Sequence, residues 1–161
     1  MSIVVIGLNH RSAPLDLLGQ VSVTAERLPK ALADLNTRPN ISECVVLSTC
    51  NRTEAYVYAE KFHGAYQDVR NFLTEFAHVN SDDFSDSLYV HYDTDAMAHL
   101  FGVAAGLDSA VIGENEIQRQ VKDAWATSQA EGTAGTTLNA AFRHALEVGK
   151  RARTELSLIH I

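Results

Sequence analysis

Residues 44–60, CVVLSTCNRTEAYVYAE, contain two strand-like runs separated by a polar junction. The first run, 44–47, is apolar and rich in β-branched residues, and the second, 54–60, alternates in the way a strand does. Polar residues 48–53 lie between the two runs, with a cysteine, Cys50, at their centre. The stretch therefore predicts two consecutive strands with a polar connection.

The segments on either side of this stretch complete a pattern. Pro14 and Gly19 indicate a loop after the first predicted strand. The further predicted elements are a strand at 3–8, a helix at 24–36 that begins at the N-cap Thr24, a helix at 65–79 and a strand at 88–92. The order β-α-β-β-α-β is typical of the split βαβ, ferredoxin-like sandwich, so we expect an α+β fold.

After Asp93 the apolar residues recur at helical spacing in three successive segments. They predict a small helical bundle beside the α+β unit. The three stripes are Ala96, Met97, Leu100, Phe101, Ala104 and Leu107; Ile117, Val121, Ala124 and Trp125; and Leu138, Phe142, Ala145, Leu146 and Gly149. We expect subdomains at 1–92 and 93–155, with 156–161 as a tail.

The composition is that of a soluble globular protein. The chain has 161 residues, 46% of them hydrophobic, and a formal net charge of −7, which argues against a surface that coats nucleic acid generally. No run is long enough to span a membrane, and two cysteines without a signal-like start predict a reducing, cytoplasmic location.

Cys50 has polar neighbours, which is unusual for a core cysteine. A cysteine nucleophile reacts as the thiolate, and Arg52 can supply the nearby cation that favours this form. Backbone N–H groups at the junction can hold an oxyanion. The alternative is that Cys50 is a small, semi-buried residue, the commoner role of a cysteine. Cys44 lies within an apolar run and is predicted to be core.

His99 is the histidine that most suggests a role beside Cys50, since a cysteine nucleophile usually needs a base or acid. On a helical wheel it lies outside the apolar stripe, so its ring can face a cleft, although the spacing alone favours an exposed surface histidine. None of the seven histidines has the spacing of a metal ligand pair, and no metal site is predicted.

Two further segments carry polar or charged groups. Residues 106–122, GLDSAVIGENEIQRQVK, contain acceptors suited to an ammonium group, or equally to helix capping and solvation. The last helical segment has four cations for one Glu147, which can contact phosphates or form a solvated face. The four are Arg143, Lys150, Arg151 and Arg153. No G-x-G-x-x-G or Walker pattern occurs in the sequence.

Four motifs together resemble one family. GLNHRSAP, LSTCNRTE, HLFGVAAGLDSAVIGENEIQRQVK and RARTE are similar, in register from about residue 5 to 155, to the N-terminal catalytic domain of glutamyl-tRNA reductases. The resemblance implies an α+β unit with a helical part. It also implies that a cysteine at the position of Cys50 attacks the ester carbonyl of glutamyl-tRNA. Hydride from NADPH would then reduce the thioester to glutamate-1-semialdehyde, the precursor of tetrapyrroles.

The resemblance also implies roles for individual residues. His99 matches a histidine that is important for activity near the nucleophile. Arg52 would bind the side-chain carboxylate of the glutamyl group, and Glu114 or Glu116 would face its α-ammonium. The positions implied to line the glutamate pocket are Thr49, Cys50, Asn51, Arg52, Ser109, Glu114, Asn115, Glu116 and Gln120.

The implied partners are glutamyl-tRNA and, further, glutamate-1-semialdehyde aminotransferase. The full-length enzyme would be a homodimer that binds NADPH. We expect this chain to be a monomer that binds no cofactor and performs only acyl transfer or ester hydrolysis, because the nucleotide domain and dimerisation helices have no counterpart in it. It departs from the family at Leu18-Gly19, where the family usually has Arg-Glu, and after Glu155. The rival interpretations are a non-catalytic ferredoxin-like module that binds RNA or protein, and a Cys-His hydrolase.

Overall fold

The computed structural model describes residues 1–109 and 116–159, without the side chains of 81, 83 and 156–159. Four strands form one antiparallel sheet in the order β2-β3-β1-β4. The strands are β1 (Ser2–Asn9), β2 (Ile41–Thr49), β3 (Arg52–Ala59) and β4 (Tyr89–Tyr92). The predicted mixed fold of helices and strands is therefore confirmed.

Seven helices surround the sheet in the described part of the chain. They are α1 (Leu15–Val21), α2 (Leu28–Asn36), α3 (Phe62–Ala77), α4 (Ser81–Phe84), α5 (Thr94–Ala104), α6 (Glu116–Glu131) and α7 (Thr136–Ile159). A short 3-10 turn, Ser85–Ser87, follows α4. None of the described helices is both long enough and apolar enough to cross a membrane.

The first face of the sheet is covered by helices α1, α2 and α3. Because alternate residues of a strand face opposite sides, Val4, Ile6 and Leu8 of β1 all point to this face. They form one apolar cluster with buried residues of the three helices, such as Leu32 and Phe72. This side of the sheet therefore carries an apolar core.

The second face is covered by α5, α6 and α7. Val5 of β1, Leu47 of β2 and Tyr56 of β3 form a second apolar cluster with residues such as Leu100 and Phe142. The helical segment after residue 93 therefore packs onto the sheet and shares a core with it, rather than forming a core of its own. A boundary between subdomains at residue 92, where β4 ends, stays a prediction.

Three sequence predictions in this part of the chain were wrong. Helix α2 begins at Leu28, with Arg27 at the N-cap position, and not after Thr24. The segment after Pro14 is helix α1 rather than a loop, because Leu17, Leu18 and Val21 lie on one helical face and are buried against the first cluster. Gly19 does not interrupt α1, and its Cα faces open space. Leu107, predicted to belong to the apolar stripe of α5, is half exposed, since α5 ends at Ala104.

The exposed edge of β2 is attached to the second helical layer by two side chains. Glu43 Oε1 accepts hydrogen bonds from the backbone N–H groups of Gly135 and Leu138 at 2.7 and 2.9 Å, and so caps the N-terminus of α7. Thr133 accepts from the N–H of Cys44 through its carbonyl and donates its hydroxyl to the Cys44 carbonyl, both at 2.9 Å. These contacts fix α7 relative to the strand that leads to Cys50.

Candidate functional site

Cys50 lies at the tip of the hairpin that joins β2 and β3. Thr49 and Arg52 are paired across the two strands, so Cys50 and Asn51 form a two-residue connection. The hydroxyl of Thr49 accepts a hydrogen bond from the N–H of Asn51 at 3.1 Å. The Cys50 side chain is exposed. The hairpin therefore presents the thiol to solvent on a short, hydrogen-bonded turn.

The other cysteine has the opposite environment. Cys44 is fully buried in the first cluster, as predicted, and its thiol lies 3.8 Å from the carbonyl oxygen of Leu32. Burial raises the pKa of Cys44 to about 12, although a hydrogen bond with Thr133 opposes this shift. Of the two thiols, only Cys50 is accessible to a large substrate.

The turn after β1 lies beside this hairpin. The His10 N–H donates to the carbonyl of Asn51 at 2.9 Å. Asn9 closes the turn, since its Oδ1 accepts from the backbone N–H groups of Arg11 and Ser12 at 2.9 and 3.1 Å. The turn after β1 and the β2–β3 turn therefore lie side by side at the same end of the sheet.

Arg52 is buried to 1% exposure directly after the Cys50 turn. Its Nη1 donates to Glu54 at 3.3 Å, and its Nη2 donates to the carbonyl and carboxylate oxygens of Asp108 at 2.6 and 3.0 Å. Burial alone would lower the pKa of Arg52, but the negative charge of Glu54, together with Tyr56, Tyr89 and the hydrogen bond to Asp108, raises it. Asp108 also pairs with Arg11 at 2.8 Å, and so joins the turn after β1 to the segment after α5.

Glu54 is the centre of a polar cluster on the second face. It is fully buried, its carboxylate receives hydrogen bonds from Arg52 and from the hydroxyls of Tyr56 and Tyr89, and Nε2 of His99 lies within hydrogen-bonding distance of Oε2. Burial by itself would raise the pKa of Glu54. The hydrogen bond and charge of His99, together with Arg52 and Tyr89, lower it to about 2. Glu54 is therefore an ionised carboxylate inside the protein.

His99 reaches this cluster from α5. Its side chain is only 11% exposed, and its ring is stacked on that of His91, with centroids 4.4 Å apart. Burial lowers the pKa of His91, and the neighbouring His99 lowers it further. The interpretation of His99 as an exposed surface histidine was therefore wrong. The ring contacts Glu54, which is two residues from Arg52 along β3.

The two tyrosines act as hydrogen-bond donors to Glu54. Tyr56 OH lies 2.7 Å from Oε1 of Glu54, whereas Tyr89 and His99 both bind Oε2. Burial, and then the charge of Glu54, raise the pKa of both hydroxyls well above the ordinary range. Each hydroxyl therefore keeps its proton and donates it to the carboxylate.

Similarity to known proteins agrees with these features. The family profile described as "Glutamyl-tRNAGlu reductase, N-terminal domain" matches residues 6–156. The chain belongs to this family. The resemblance inferred from the motifs, from about residue 5 to 155, is thereby confirmed.

The relatives of this glutamyl-tRNA reductase domain are longer than the chain itself. Glutamyl-tRNA reductase of Frankia alni is 48% identical over 158 residues, covering 98% of this chain and 34% of the relative. That of Xanthomonas campestris pv. phaseoli is 44% identical over 155 residues, again covering 34% of the relative. The chain thus spans about a third of the length of the curated relatives it matches.

A solved structure has the same fold as this reductase domain. Glutamyl-tRNA reductase from Methanopyrus kandleri superimposes with a TM-score of 0.75 at 32% sequence identity. The superposition covers 95% of this chain and 34% of that chain. The described fold is therefore that of one part of a longer reductase.

The structure brings together some of the predicted site residues. Thr49, Cys50, Asn51 and Arg52 form one hairpin end, and His99 is connected to Arg52 through Glu54. Ser109 is buried and directly follows Asp108, the partner of Arg52. These positions converge although they come from three separate parts of the sequence.

The remaining predicted pocket residues are on or before α6. Gln120 lines a cleft of about 240 Å³ together with Leu47 and Ser48, close to where β2 enters the hairpin. Glu116 is the first residue of α6, and its exposed carboxylate pairs with Arg119. Glu114 and Asn115 lie outside the described residues. Substrate binding by all of these side chains stays a prediction.

Sequence reasoning missed Glu54, Tyr56, Tyr89 and Asp108. A signal for two of them was present in the strand, because Arg52, Glu54 and Tyr56 occur at every second position and so share one face. Buried charges on one face of a strand are costly unless they are paired, which makes such a row informative. The contacts of Tyr89 and Asp108 had no comparable local signal, because they depend on elements far apart in sequence.

Proposed function

We propose that this domain performs the acyl-transfer step of glutamyl-tRNA reductase, with Cys50 as the nucleophile. The observation that carries the proposal is one exposed thiol at the tip of a hairpin whose next residues anchor a buried charged cluster. The Cys50 sulfur forms a bond to the ester carbonyl carbon of glutamyl-tRNA. The bond from that carbon to the ribose oxygen breaks, the oxygen takes a proton, and a glutamyl thioester remains.

We assign proton transfer in this step to His99. Support comes from its position, since the ring is almost buried and is held by Glu54, four residues from Cys50 in the chain. A histidine so placed can accept the proton of the thiol and return it to the leaving oxygen. Cys50 and His99 would then act as the acid-base pair that a thiol nucleophile needs.

We propose that Arg52 binds the side-chain carboxylate of the glutamyl group. A guanidinium has five N–H donors, and its bonds to Glu54 and Asp108 use three of them among the described residues. The remaining donors can bind a carboxylate in a charge-assisted manner. We assign Thr49, Asn51, Ser109 and Gln120, with Glu114, Asn115 and Glu116, to the rest of the glutamate pocket.

The Arg52 role has a direct test. Arg52→Lys keeps the positive charge but loses the planar fork, so discrimination between glutamyl and glutaminyl esters should weaken by roughly 1.5–3 kcal/mol. The measurement is the ratio of Cys50 acylation rates with the two esters. If Arg52→Lys keeps the wild-type ratio, the carboxylate is bound by another residue.

Reduction by NADPH is assigned to other parts of the longer protein. The described residues do not fit a dinucleotide: the turn after β1 is closed by the Asn9 side chain and contains no glycine. Some glycines have no space for a Cβ atom, but this chain itself fills the space beside them, so they do not form a cradle for a ligand. Gly7 faces Thr53 and Glu54, and Gly149 faces Ala104. We therefore derive no hydride transfer from this domain.

The other proposals follow from family membership. We propose that the longer protein is a cytoplasmic homodimer that supplies glutamate-1-semialdehyde for tetrapyrrole synthesis, and that the semialdehyde aminotransferase is a further partner. The isolated chain is proposed to be a monomer. We also propose that the sheet with α2 and α3 is a ferredoxin-like unit, because its strand order is β2-β3-β1-β4 and all neighbouring strands are antiparallel.

The acyl-transfer proposal is tested with glutamyl-tRNA labelled in its glutamyl group. The chain should form a thioester on Cys50, detected by mass spectrometry, and release tRNA without consuming NADPH. Cys50→Ser should form no thiol-labile adduct, whereas the control Cys44→Ala should still form one. Absence of a wild-type adduct, or an equal adduct in Cys50→Ser, would refute the proposal. Production of semialdehyde by this chain would show that the cofactor assignment is wrong.

A further inference from the structure

We propose that Glu54 is a positioning residue that holds His99 in the tautomer with the proton on Nε2, and so makes Nδ1 the nitrogen that exchanges protons during acylation of Cys50. The catalytic part of this inference rests on the proposed function. The tautomer itself is a property of the chain alone. Glu54 belongs to neither the predicted glutamate pocket nor the pair Cys50 and His99.

The first step is the chemistry of the four groups around the carboxylate. An ionised carboxylate only accepts hydrogen bonds, so each contacting group must donate. Arg52 and the two tyrosine hydroxyls, Tyr56 and Tyr89, are donors. Nε2 of His99, which contacts Oε2, must therefore also carry a hydrogen. In a neutral imidazole this leaves the lone pair on Nδ1.

The second step concerns the protonation state of the Glu54 carboxylate, which the surrounding groups keep ionised. Glu54 is fully buried, and three donors other than His99 bind its carboxylate and stabilise the ionised form: the Arg52 guanidinium and the hydroxyls of Tyr56 and Tyr89. A protonated Glu54 could donate to an unprotonated Nε2 and reverse the tautomer, but this form is not populated near neutral pH. The direction of the hydrogen bond is therefore fixed.

The third step concerns the orientation of the ring. His99 comes from α5, Glu54 from β3 and Tyr89 from β4, so three elements converge on one carboxylate oxygen. The imidazole of His91 stacks on that of His99 with an interplanar angle of 21°. A hydrogen bond at Nε2 and a ring stacked on one face leave the imidazole a single orientation. Such a carboxylate fixes tautomer and direction without touching the reacting atoms.

The direct test is nuclear magnetic resonance of the chain with ¹⁵N-labelled histidine, at a pH where the imidazole of His99 is neutral. The shifts of His99 should show a protonated Nε2 and an unprotonated Nδ1, with one tautomer only. A protonated Nδ1, or two tautomers in exchange, would overturn the proposal. This readout requires neither tRNA nor activity, so it remains decisive even if a variant does not fold.

The functional test makes the same substitution, glutamate to glutamine, at two positions. Glu54→Gln replaces the carboxylate with an amide that can donate to or accept from Nε2, so the tautomer is no longer imposed. We expect Cys50 acylation by glutamyl-tRNA to slow by about 10²-fold. Because an amide oxygen can still accept the hydrogen bond from Arg52, we expect the half-saturating concentration of glutamyl-tRNA to stay unchanged. Glu43→Gln is the control, because Glu43 also accepts hydrogen bonds, two from backbone N–H groups, but it caps α7 instead of contacting His99. It should keep both the tautomer and the rate.

The outcomes separate this inference from the proposed function. If no variant, including the wild type, acylates Cys50, the proposed function fails and the spectrum alone decides the tautomer. If the wild type acylates and a folded Glu54→Gln does so at the same rate, the positioning role is wrong while the function stands. A rate loss of similar size in Glu43→Gln would indicate a general loss of stability, and would also overturn the inference.

Discussion

The two faces of the sheet use the same strands but are held to their helices by different interactions. On the first face, the residues of β1–β3 contact α1, α2 and α3 through an apolar cluster. On the second face, the apolar cluster is followed, toward the hairpin, by Arg52 and Glu54, which are equally buried. Apolar packing on the first face stabilises the fold but does not orient individual groups. The hydrogen bonds and ion pairs on the second face hold charged groups at defined positions. Three groups to which we assign functional roles, Arg52, Glu54 and His99, all belong to the second face.

The largest expected difference between the faces is in thiol reactivity. Cys44 on the first face should react with iodoacetamide at least about 10³-fold more slowly than Cys50, because it is buried and its pKa is raised to about 12. The measurement is site-resolved alkylation followed by mass spectrometry, with the chain in urea as the control, where both thiols should react alike. Two equally slow thiols in the folded chain would favour the non-catalytic binding module.

Removal of a cation that pairs with a buried carboxylate should cost more than removal of a cation whose partners are exposed. Arg52→Met leaves Glu54 and Asp108 without their common partner and should lower the free energy of unfolding by about 3–5 kcal/mol. Arg38→Met is the matched control, since Arg38 pairs with the more exposed Asp34 and Glu75, and should cost at most about 1 kcal/mol. Urea unfolding of both variants tests this. An equal loss in the free energy of unfolding would contradict the claim that buried ion pairs stabilise the second face.

The second face should also make stability depend on acid pH. Because the pKa of Glu54 is lowered from 4.5 to about 2, its ionised form stabilises the folded state at pH values above 4.5. This contribution, on the order of 3 kcal/mol, is lost as the pH falls toward 2. The free energy of unfolding of the wild type should therefore approach that of Glu54→Gln across this interval. A difference between the two chains that does not change with pH would refute the assignment.

The smallest expected effect concerns the cap of α7. Glu43→Ala removes the acceptor for the N–H groups of Gly135 and Leu138 and should lower the free energy of unfolding by about 1–2 kcal/mol. Glu60→Ala is the control, because Glu60 is exposed, and should change stability by less than about 0.5 kcal/mol. Thermal or urea unfolding can measure both. If the two losses are equal, the carboxylate does not attach α7 to β2.

Several elements could be predicted from the sequence because their signals are local. The alternation in β3 and the apolar run of β2 predicted two adjacent strands, and the structure places them in one hairpin with Cys50 at its tip. The position of Cys44 in the core followed from its apolar neighbours. Helix α1 was not predicted, because Gly19 was interpreted as a loop residue, although it lies on the exposed side of a helix whose other side is buried.

By itself, the sequence determined the family, the order of the strands along the chain and the two candidate reactive residues, Cys50 and His99. These depend on motifs and on periodicity, which are properties of neighbouring residues. Only the tertiary structure decided that α5–α7 cover the second face, and that Glu54 joins Arg52, Tyr89 and His99. The contacts of Glu54 connect residues up to 45 positions apart in the chain, and a buried charge reveals its partners only when separate elements pack around it.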